Sequence, residues 1–163
     1  GAHNTSQFGP CVAAPACTAC AMMIRMSSEG PSPPPTSDEH PNATAYRRAA
    51  DAFRAGDLAT IRSLVDPDVV WHVPGGHSLA RDYRGREDVA LFLAQLPLIG
   101  FWLREHDVFG NDVHVCALSE MGARRLGTAV STRVVSIFHF RNGRQLERWF
   151  YPDDMGAWNA IFS

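Results

Sequence analysis

The second half of the chain contains four successive β-strand patterns with no helical pattern between them. They cover residues 101–109, 112–120, 128–140 and 144–151, and together they are enriched in aromatic and β-branched residues. Asn142-Gly143 separates the last two, and an Asn-Gly pair between two strands is a strong hairpin signal. The first half contains three helical patterns and one strand. Helices segregated from a run of strands predict an α+β domain and not a doubly wound sheet.

The helices of the first half are predicted from apolar spacing and from capping residues. Four residues spaced i, i+3, i+4 and i+7 predict an amphipathic first helix: Tyr46, Ala49, Ala50 and Phe53. Gly56 is expected to end that helix, Asp57 to cap a second helix and Pro67 to terminate it. A third helix covers the apolar positions 89–96. Asp153 or Asp154 is expected to start a short final helix.

The chain divides at residue 40. Residues 1–40 are predicted to be a tail, with a vector remnant at its start, several possible initiating methionines and a Pro/Ser-rich linker. The tail contains the motif Cys17-Thr-Ala-Cys20, but a closed zinc site needs four ligands and the sequence offers no second such pair. We therefore expect incidental cysteines, no metal and no cofactor. Residues 41–163 are predicted to form the folded domain.

Composition excludes several classes of function. The formal net charge is −2, which does not favour a nucleic-acid partner, and no run approaches the roughly 18 apolar residues of a membrane span. All 15 basic residues are arginine. Schiff-base catalysis by lysine and a phosphate loop with its usual lysine are therefore excluded. We expect a cytoplasmic protein with neither a nucleic-acid nor a membrane partner.

Three stretches resemble a known family: "AFRAGDLATIRSLVDPDVVWHVPG", "YRGREDVALFL" and "FHFRNGRQLERWFYPDD". Together they are similar to the SnoaL-like branch of the nuclear transport factor 2-like superfamily, which also holds ketosteroid isomerase, limonene epoxide hydrolase and polyketide cyclases. The resemblance implies a strongly curved antiparallel sheet that wraps around three helices as a cone. It also implies an apolar pocket at the open end and a homodimer formed through the sheet.

The resemblance argues against the isomerase mechanism in this chain. Ketosteroid isomerases keep a carboxylate base just before the proline that ends the first strand, whereas this chain has Val73 before Pro74. The isomerase tyrosine position falls near Ala49, and the isomerase aspartate position falls near residues 136–138. The aspartate–arginine–aspartate relay of the epoxide hydrolases has no clear match in this chain either.

Other candidate catalytic residues lie on the last strand, as acids do in the cyclases. A two-residue period places Glu147, Trp149 and Tyr151 on one face. If that face lines the cone, Glu147 is the candidate base and Tyr151 a candidate donor. Asp154 is either a further base or only a helix cap. His139 is the candidate second proton carrier.

Candidate ligand-binding residues follow from the same geometry. Alternation along the first strand places Trp71 and Val73 on one face and His72 on the other. The resemblance to the isomerases implies that the Val73 face is the pocket face, so Trp71 is expected to line the pocket. The other candidates come from the first helix, the loops and the last strand: Phe53, His77, Tyr83 and Trp149. The histidines show no metal-binding spacing.

Three functions remain open from the sequence. The first is a pocket protein for a small apolar molecule, with cofactor-independent isomerase or cyclase chemistry on a carbonyl or polyketide-like compound. The second is a non-catalytic small-molecule-binding or dimerisation module. The third is an enzyme similar to the epoxide hydrolases. The fold does not choose between them, because one fold hosts many chemistries.

Overall fold

The computed structural model describes residues 39–125 and 127–163, and the Cys17–Cys20 motif lies outside them. The helices are α1 (Pro41–Ala55), α2 (Leu58–Leu64), α3 (Arg86–Gln95) and α4 (Met155–Ile161), with a 3₁₀ turn at Leu96–Ile99. The strands are β1 (Val65–His72), β2 (Asp82–Arg84), β3 (Phe101–Gly110), β4 (His114–Arg125), β5 (Thr128–Arg141) and β6 (Arg144–Pro152). The predicted α+β class is confirmed.

The helix ends use the residues that the sequence indicates. Gly56 ends α1 with φ 72°, a left-handed conformation that glycine adopts readily. Asp57 caps α2 by accepting a hydrogen bond of 2.9 Å from the Thr60 amide. The expectation that Pro67 terminates α2 is wrong, because the helix ends at Leu64 and Pro67 lies inside β1.

The six strands form one curved, open sheet in the order β2-β1-β6-β5-β4-β3. Neighbouring strands are antiparallel except for β1 and β6, which run parallel. The predicted antiparallel sheet is thus present with one parallel pair, β1 and β6. The predicted hairpin between β5 and β6 is present, and both of its turn residues have positive φ, 52° at Asn142 and 72° at Gly143. The three-residue strand β2 was predicted as loop because it is too short to show a period.

The concave face of the sheet packs against the helices and forms the main core. Trp71, Val73 and Phe150 are buried on this face. Trp158 of α4 is only 1 % exposed, and its indole N–H donates to the carbonyl of Pro74 at 2.8 Å. This bond ties α4 to the end of β1, so α4 closes one side of the cone. No helix within the described ranges is long and apolar enough to span a membrane.

Candidate functional site

An enclosed cavity lies between the helices and the concave face of the sheet. The centre of a water molecule has about 60 Å³ of space there. Since one water needs roughly 10–15 Å³ on this measure, the cavity has room for a compact molecule. Its walls are mostly aromatic and aliphatic and include Phe53, Phe92, Leu93, Phe101, Met121 and Phe162.

Strand register decides which residues of β6 line the cavity. Trp71 of β1 is the direct partner of Arg148 in the parallel pair, and both side chains line the cavity, as does Phe150. The β5–β6 register shifts between Glu147 and Gln145, which pair with consecutive residues of β5. This bulge changes the alternation of β6, so Gln145 also faces inward.

Arg148 is the charged group of the cavity. Its side chain lies among three aromatic rings, with the guanidinium carbon 4.0 Å from the Phe150 ring centroid and 4.6 Å from those of Trp71 and Phe138. These cation–π contacts stabilise it, and it donates to the Ser136 hydroxyl at 3.2 Å. Burial lowers the pKa of Arg148 to about 10, so the guanidinium stays charged at neutral pH.

Three other polar groups point into the same region. Tyr46 of α1 is 3 % exposed, and burial together with the nearby Glu105 carboxylate raises the pKa of its phenol. Within the described ranges, five buried side-chain atoms have no hydrogen-bond partner, and four of them belong to residues that line the cavity: Tyr46 Oη, Trp71 Nε1, Gln145 Oε1 and Arg148 Nε. Buried polar atoms normally have partners, so these four distinguish the cavity from an ordinary core.

The carboxylate nearest to this group is engaged elsewhere. Glu105 of β3 has a side chain that is 1 % exposed, and it accepts from Arg54 at 2.5 Å and from Arg47 at 3.3 Å. It attracts Arg148 only at longer range. None of the described residues that line the cavity is an aspartate or a glutamate.

The three alternating residues Glu147, Trp149 and Tyr151 lie on the outer face of the sheet, away from the cavity. The idea that this face lines the cone is therefore corrected, because Arg148 and Phe150 occupy the inward positions of β6. As the sequence indicates, His72 also faces outward. Its ring stacks on Trp149 at 5.5 Å.

The outer histidines form a chain of ion pairs with the acids. His72 binds Asp82 at 2.7 Å and Glu147 at 2.9 Å, and His139 lies 3.4 Å from the other oxygen of Glu147. Burial opposes protonation of His72, but the hydrogen bonds to Glu147 and Asp82 outweigh it and raise its pKa. Glu147 is thus a partner of two histidines and not an isolated acid in an apolar site.

An open crevice lies beside this chain, between the outer face and the loop after β1. The centre of a water molecule has about 380 Å³ there, more than in the enclosed cavity, and the crevice is lined in part by His72, Val73, Trp149 and Tyr151. We favour the cavity as the candidate site although it is smaller. It is enclosed and contains buried polar atoms without partners, whereas the polar groups of the crevice are open to solvent or already paired.

The remaining candidate residues have structural contacts. Phe53 lines the cavity together with Trp71. Tyr83 is buried outside the lining and donates to the carbonyl of Leu79 at 2.8 Å. His77 stacks on Phe162 at 4.3 Å, and burial lowers its pKa. Asp154 is the N-cap of α4 and accepts from the Ala157 amide at 2.9 Å, as the cap alternative predicted.

Sequence reasoning missed Arg148 and Gln145 as cavity residues and assigned Tyr46 only to the apolar face of α1. Tyrosine on an otherwise apolar helix face was a usable signal for Tyr46. No signal indicated Arg148, because its direction depends on the parallel register with β1. Among residues 39–125 and 127–163, no cluster of three histidine, cysteine or acidic side chains is arranged to hold a metal ion.

The model of the SnoaL-like domain matches residues 46–148, which cover β1 to β5, α2, α3, most of α1 and the first half of β6. The chain belongs to the SnoaL-like domain family. The SnoaL-like match contains the cavity residues Tyr46, Trp71, Gln145 and Arg148. The resemblance of the three sequence stretches is thereby confirmed.

Similar proteins support the same family. The uncharacterised protein Rv0034 of Mycobacterium tuberculosis is 32% identical over 102 residues, which cover 60% of this chain and 78% of that protein. Bal32a, from a soil-derived mobile gene cassette, is 28% identical with a TM-score of 0.71, over 76% of this chain and 97% of Bal32a. IdmH of Streptomyces antibioticus, described as a putative polyketide cyclase, has a TM-score of 0.59 at 22% identity, over 75% and 100% of the two chains. At that identity the likeness to IdmH concerns the fold alone.

Proposed function

We propose that this SnoaL-like domain binds a small, largely apolar molecule in the enclosed cavity. The observation that carries the proposal is the cavity itself, which has aromatic and aliphatic walls and a few polar groups at one side. Ligand sites in proteins commonly combine apolar walls with a few placed polar groups. If the walls of the cavity do not move on binding, its small free volume restricts the ligand to compact molecules, such as those with one ring.

The experiment compares ligand binding between wild type and a cavity-filling variant. Ala49 lines the cavity on α1, whereas Ala55 is exposed on the same helix. Nitrobenzene, a neutral one-ring probe, is titrated, and its binding is followed by calorimetry and by the intrinsic tryptophan fluorescence, to which Trp71 and Trp158 beside the cavity contribute. We expect Ala49→Leu to abolish binding and the control Ala55→Leu to retain it. If no one-ring probe binds to wild type, the proposed site is excluded.

A cofactor-independent isomerase or cyclase is a second candidate function. The observation in its favour is that Tyr46 and Arg148 both present hydrogen-bond donors beside the cavity, and such donors stabilise negative charge that develops on a carbonyl oxygen. Since no acid of residues 39–125 or 127–163 lines the cavity, proton abstraction by Glu147 or Asp154 has no geometric support. The same lack of acids disfavours the two-carboxylate relay of an epoxide hydrolase. Turnover of an enolisable ketone that Tyr46→Phe reduces and Glu147→Gln leaves unchanged would establish this candidate.

We also propose a homodimer formed through the outer face of the sheet. That face carries apolar side chains at Leu118, Ile137, Trp149 and Tyr151, of which Leu118 is 37% and Tyr151 53% exposed. Burial of such a surface by a second copy removes apolar area from water. Light scattering should show a dimer for wild type and a monomer for Leu118→Arg. The control Leu91→Arg, at an exposed position of α3, should remain dimeric. A monomeric wild type would overturn this proposal.

A further inference from the structure

We propose that the polar side of the cavity is a receptor for an oxyanion, so that the ligand is a compact apolar molecule ending in a carboxylate or an ionised enol or phenol. Arg148, Tyr46 and Gln145 are the binding groups. This inference rests on the proposed binding function, because it names the chemical class of the ligand for the same cavity.

The position of Arg148 carries the first step. Its side chain is buried, and within the described ranges it forms no ion pair with a carboxylate. Arg148 donates to the neutral hydroxyl of Ser136, while its Nε–H has no acceptor among the described residues. A buried guanidinium with a free donor favours an anionic oxygen, because charge-assisted hydrogen bonds are the stronger ones.

Glu105 does not fill this role. Both of its oxygens are already bound, one by Arg47 and the other by Arg54, and these contacts hold α1 on β3. The Glu105 charge helps to keep Arg148 protonated from a distance. It therefore leaves the Nε–H of Arg148 available to a ligand.

Tyr46 and Gln145 extend the receptor. The Tyr46 hydroxyl is buried and has no partner in the described part of the chain, and its phenol stays protonated, so it offers one O–H donor. The carboxamide of Gln145 has an unpaired oxygen, and a half-turn about its last torsion presents its N–H₂ group instead. A carboxylate has enough lone pairs to accept from all three side chains.

The rest of the lining decides the other end of the ligand. Among the described lining residues only Arg148 is charged, and most of the walls are phenyl, indole or aliphatic side chains. The body of the ligand is therefore apolar, and the available volume suits a single ring. These features select a small aromatic or alicyclic acid.

The experiment compares benzoate with nitrobenzene, which has the same shape but no charge. Titration calorimetry is performed on wild type, Arg148→Met and the control Arg144→Met, which alters an exposed arginine of β6. We expect wild type and Arg144→Met to bind benzoate about tenfold or more tightly than nitrobenzene. Arg148→Met should lose that preference and keep its affinity for nitrobenzene. 4-Nitrophenolate, tested above the pKa of its phenol, distinguishes a phenolate site from a carboxylate site.

A second readout separates a binding role from a merely structural one. Replacement of a buried ion by an apolar side chain of similar length is often neutral or stabilising, so the Tm of Arg148→Met should equal or exceed that of wild type. The Nε–H resonance of Arg148 should shift on addition of benzoate. If Arg148→Met does not fold, Tyr46→Phe replaces it and is expected to weaken benzoate selectively.

The outcomes distinguish the two proposals. Equal affinity of wild type for benzoate and nitrobenzene would overturn the oxyanion receptor and leave the apolar pocket intact. A preference for benzoate that survives both Arg148→Met and Tyr46→Phe would also overturn it. Failure of both probes to bind would overturn the pocket itself.

Discussion

Trp71 on β1 and Arg148 on β6 are register partners in the parallel strand pair, and the Arg148 guanidinium carbon lies 4.6 Å from the Trp71 ring centroid. The two side chains therefore meet on the concave face, where Phe138 and Phe150 complete the aromatic surroundings of the cation. The residues that follow them, His72 on β1 and Trp149 on β6, are also register partners, and their rings stack on the outer face. One register thus defines both the cavity and the outer ion-pair chain.

Glu105 is expected to be the most sensitive charged residue of the fold. Glu105→Gln leaves Arg47 and Arg54 facing a neutral amide, and loss of one partner of a buried ion pair costs about 3 kcal/mol. Asp51→Asn removes only an exposed partner of Arg54 and should change the free energy of unfolding by less than about 1 kcal/mol. Urea unfolding measures both. Equal effects of the two variants would contradict the buried role of Glu105.

Gly122 in β4 is required by the indole of Trp102. A β-carbon at this position would lie 2.5 Å from Cζ2 of Trp102 and 2.6 Å from the carbonyl oxygen of Val130. Overpacking of this kind costs about 1–3 kcal/mol, so Gly122→Ala should lower the midpoint of thermal unfolding. Gly76→Ala is the control, since a β-carbon there meets nothing within 4 Å. An unchanged midpoint for Gly122→Ala would show that Trp102 moves freely.

Asp154 is expected to act as a helix cap. Asp154→Ala removes the acceptor for the Ala157 amide and should lower the free energy of unfolding by about 1 kcal/mol. Asp154→Asn keeps a good capping side chain and should remain close to wild type. Chemical denaturation of both variants tests this. A loss for Asp154→Asn as large as that for Asp154→Ala would require a role for the charge itself.

The pH dependence of stability should show opposite signs at two histidines. The pKa of His72 is raised in the folded state, so its contribution is complete below its unfolded pKa of about 6.5 and is lost as the pH rises through the folded value. The free energy of unfolding of wild type should exceed that of His72→Gln by up to about 1 kcal/mol near pH 6 and by less above pH 8. Burial lowers the pKa of His77, so stability is lost there as the pH falls. The free energy of unfolding of wild type should therefore fall relative to that of His77→Gln as the pH is lowered.

Unfolding curves of the two histidine variants and wild type across this pH range provide the measurement. The acids that face His72 are Asp82 and Glu147, and the hydrogen bond from His72 lowers the pKa of Asp82, which keeps this partner ionised throughout the range. A difference between wild type and His72→Gln that does not change with pH would contradict the ion-pair assignment.

Local sequence signals were sufficient to predict most of the helices, strands and turns. Gly56, Asp57, Asn142-Gly143 and Asp154 mark ends and turns because each depends on the conformation of a few adjacent residues. The alternation of Trp71 and His72 on β1 was also predictable, since it needs no knowledge of a neighbouring strand. The β2 strand was not, because three residues are too few to display a period.

The residues of the candidate site were predictable only in part. Phe53 could be placed at the cavity from its helical spacing and Trp71 from strand alternation together with the family resemblance, whereas the inward face of β6 could not. Alternation shows that Glu147, Trp149 and Tyr151 share a face, but it does not show which face. That choice depends on the parallel register with β1 and on the bulge after Gln145.

The sequence by itself determined the α+β class, most of the helix ends, the hairpin and the family, because these depend on residues close together in the chain. Only the tertiary structure decided that Arg148 enters the cavity while Glu147 faces outward. Arg148 is brought to Trp71 across 77 positions of the chain by strand pairing. Contacts of this kind arise from the register of distant strands, which a one-dimensional pattern does not encode.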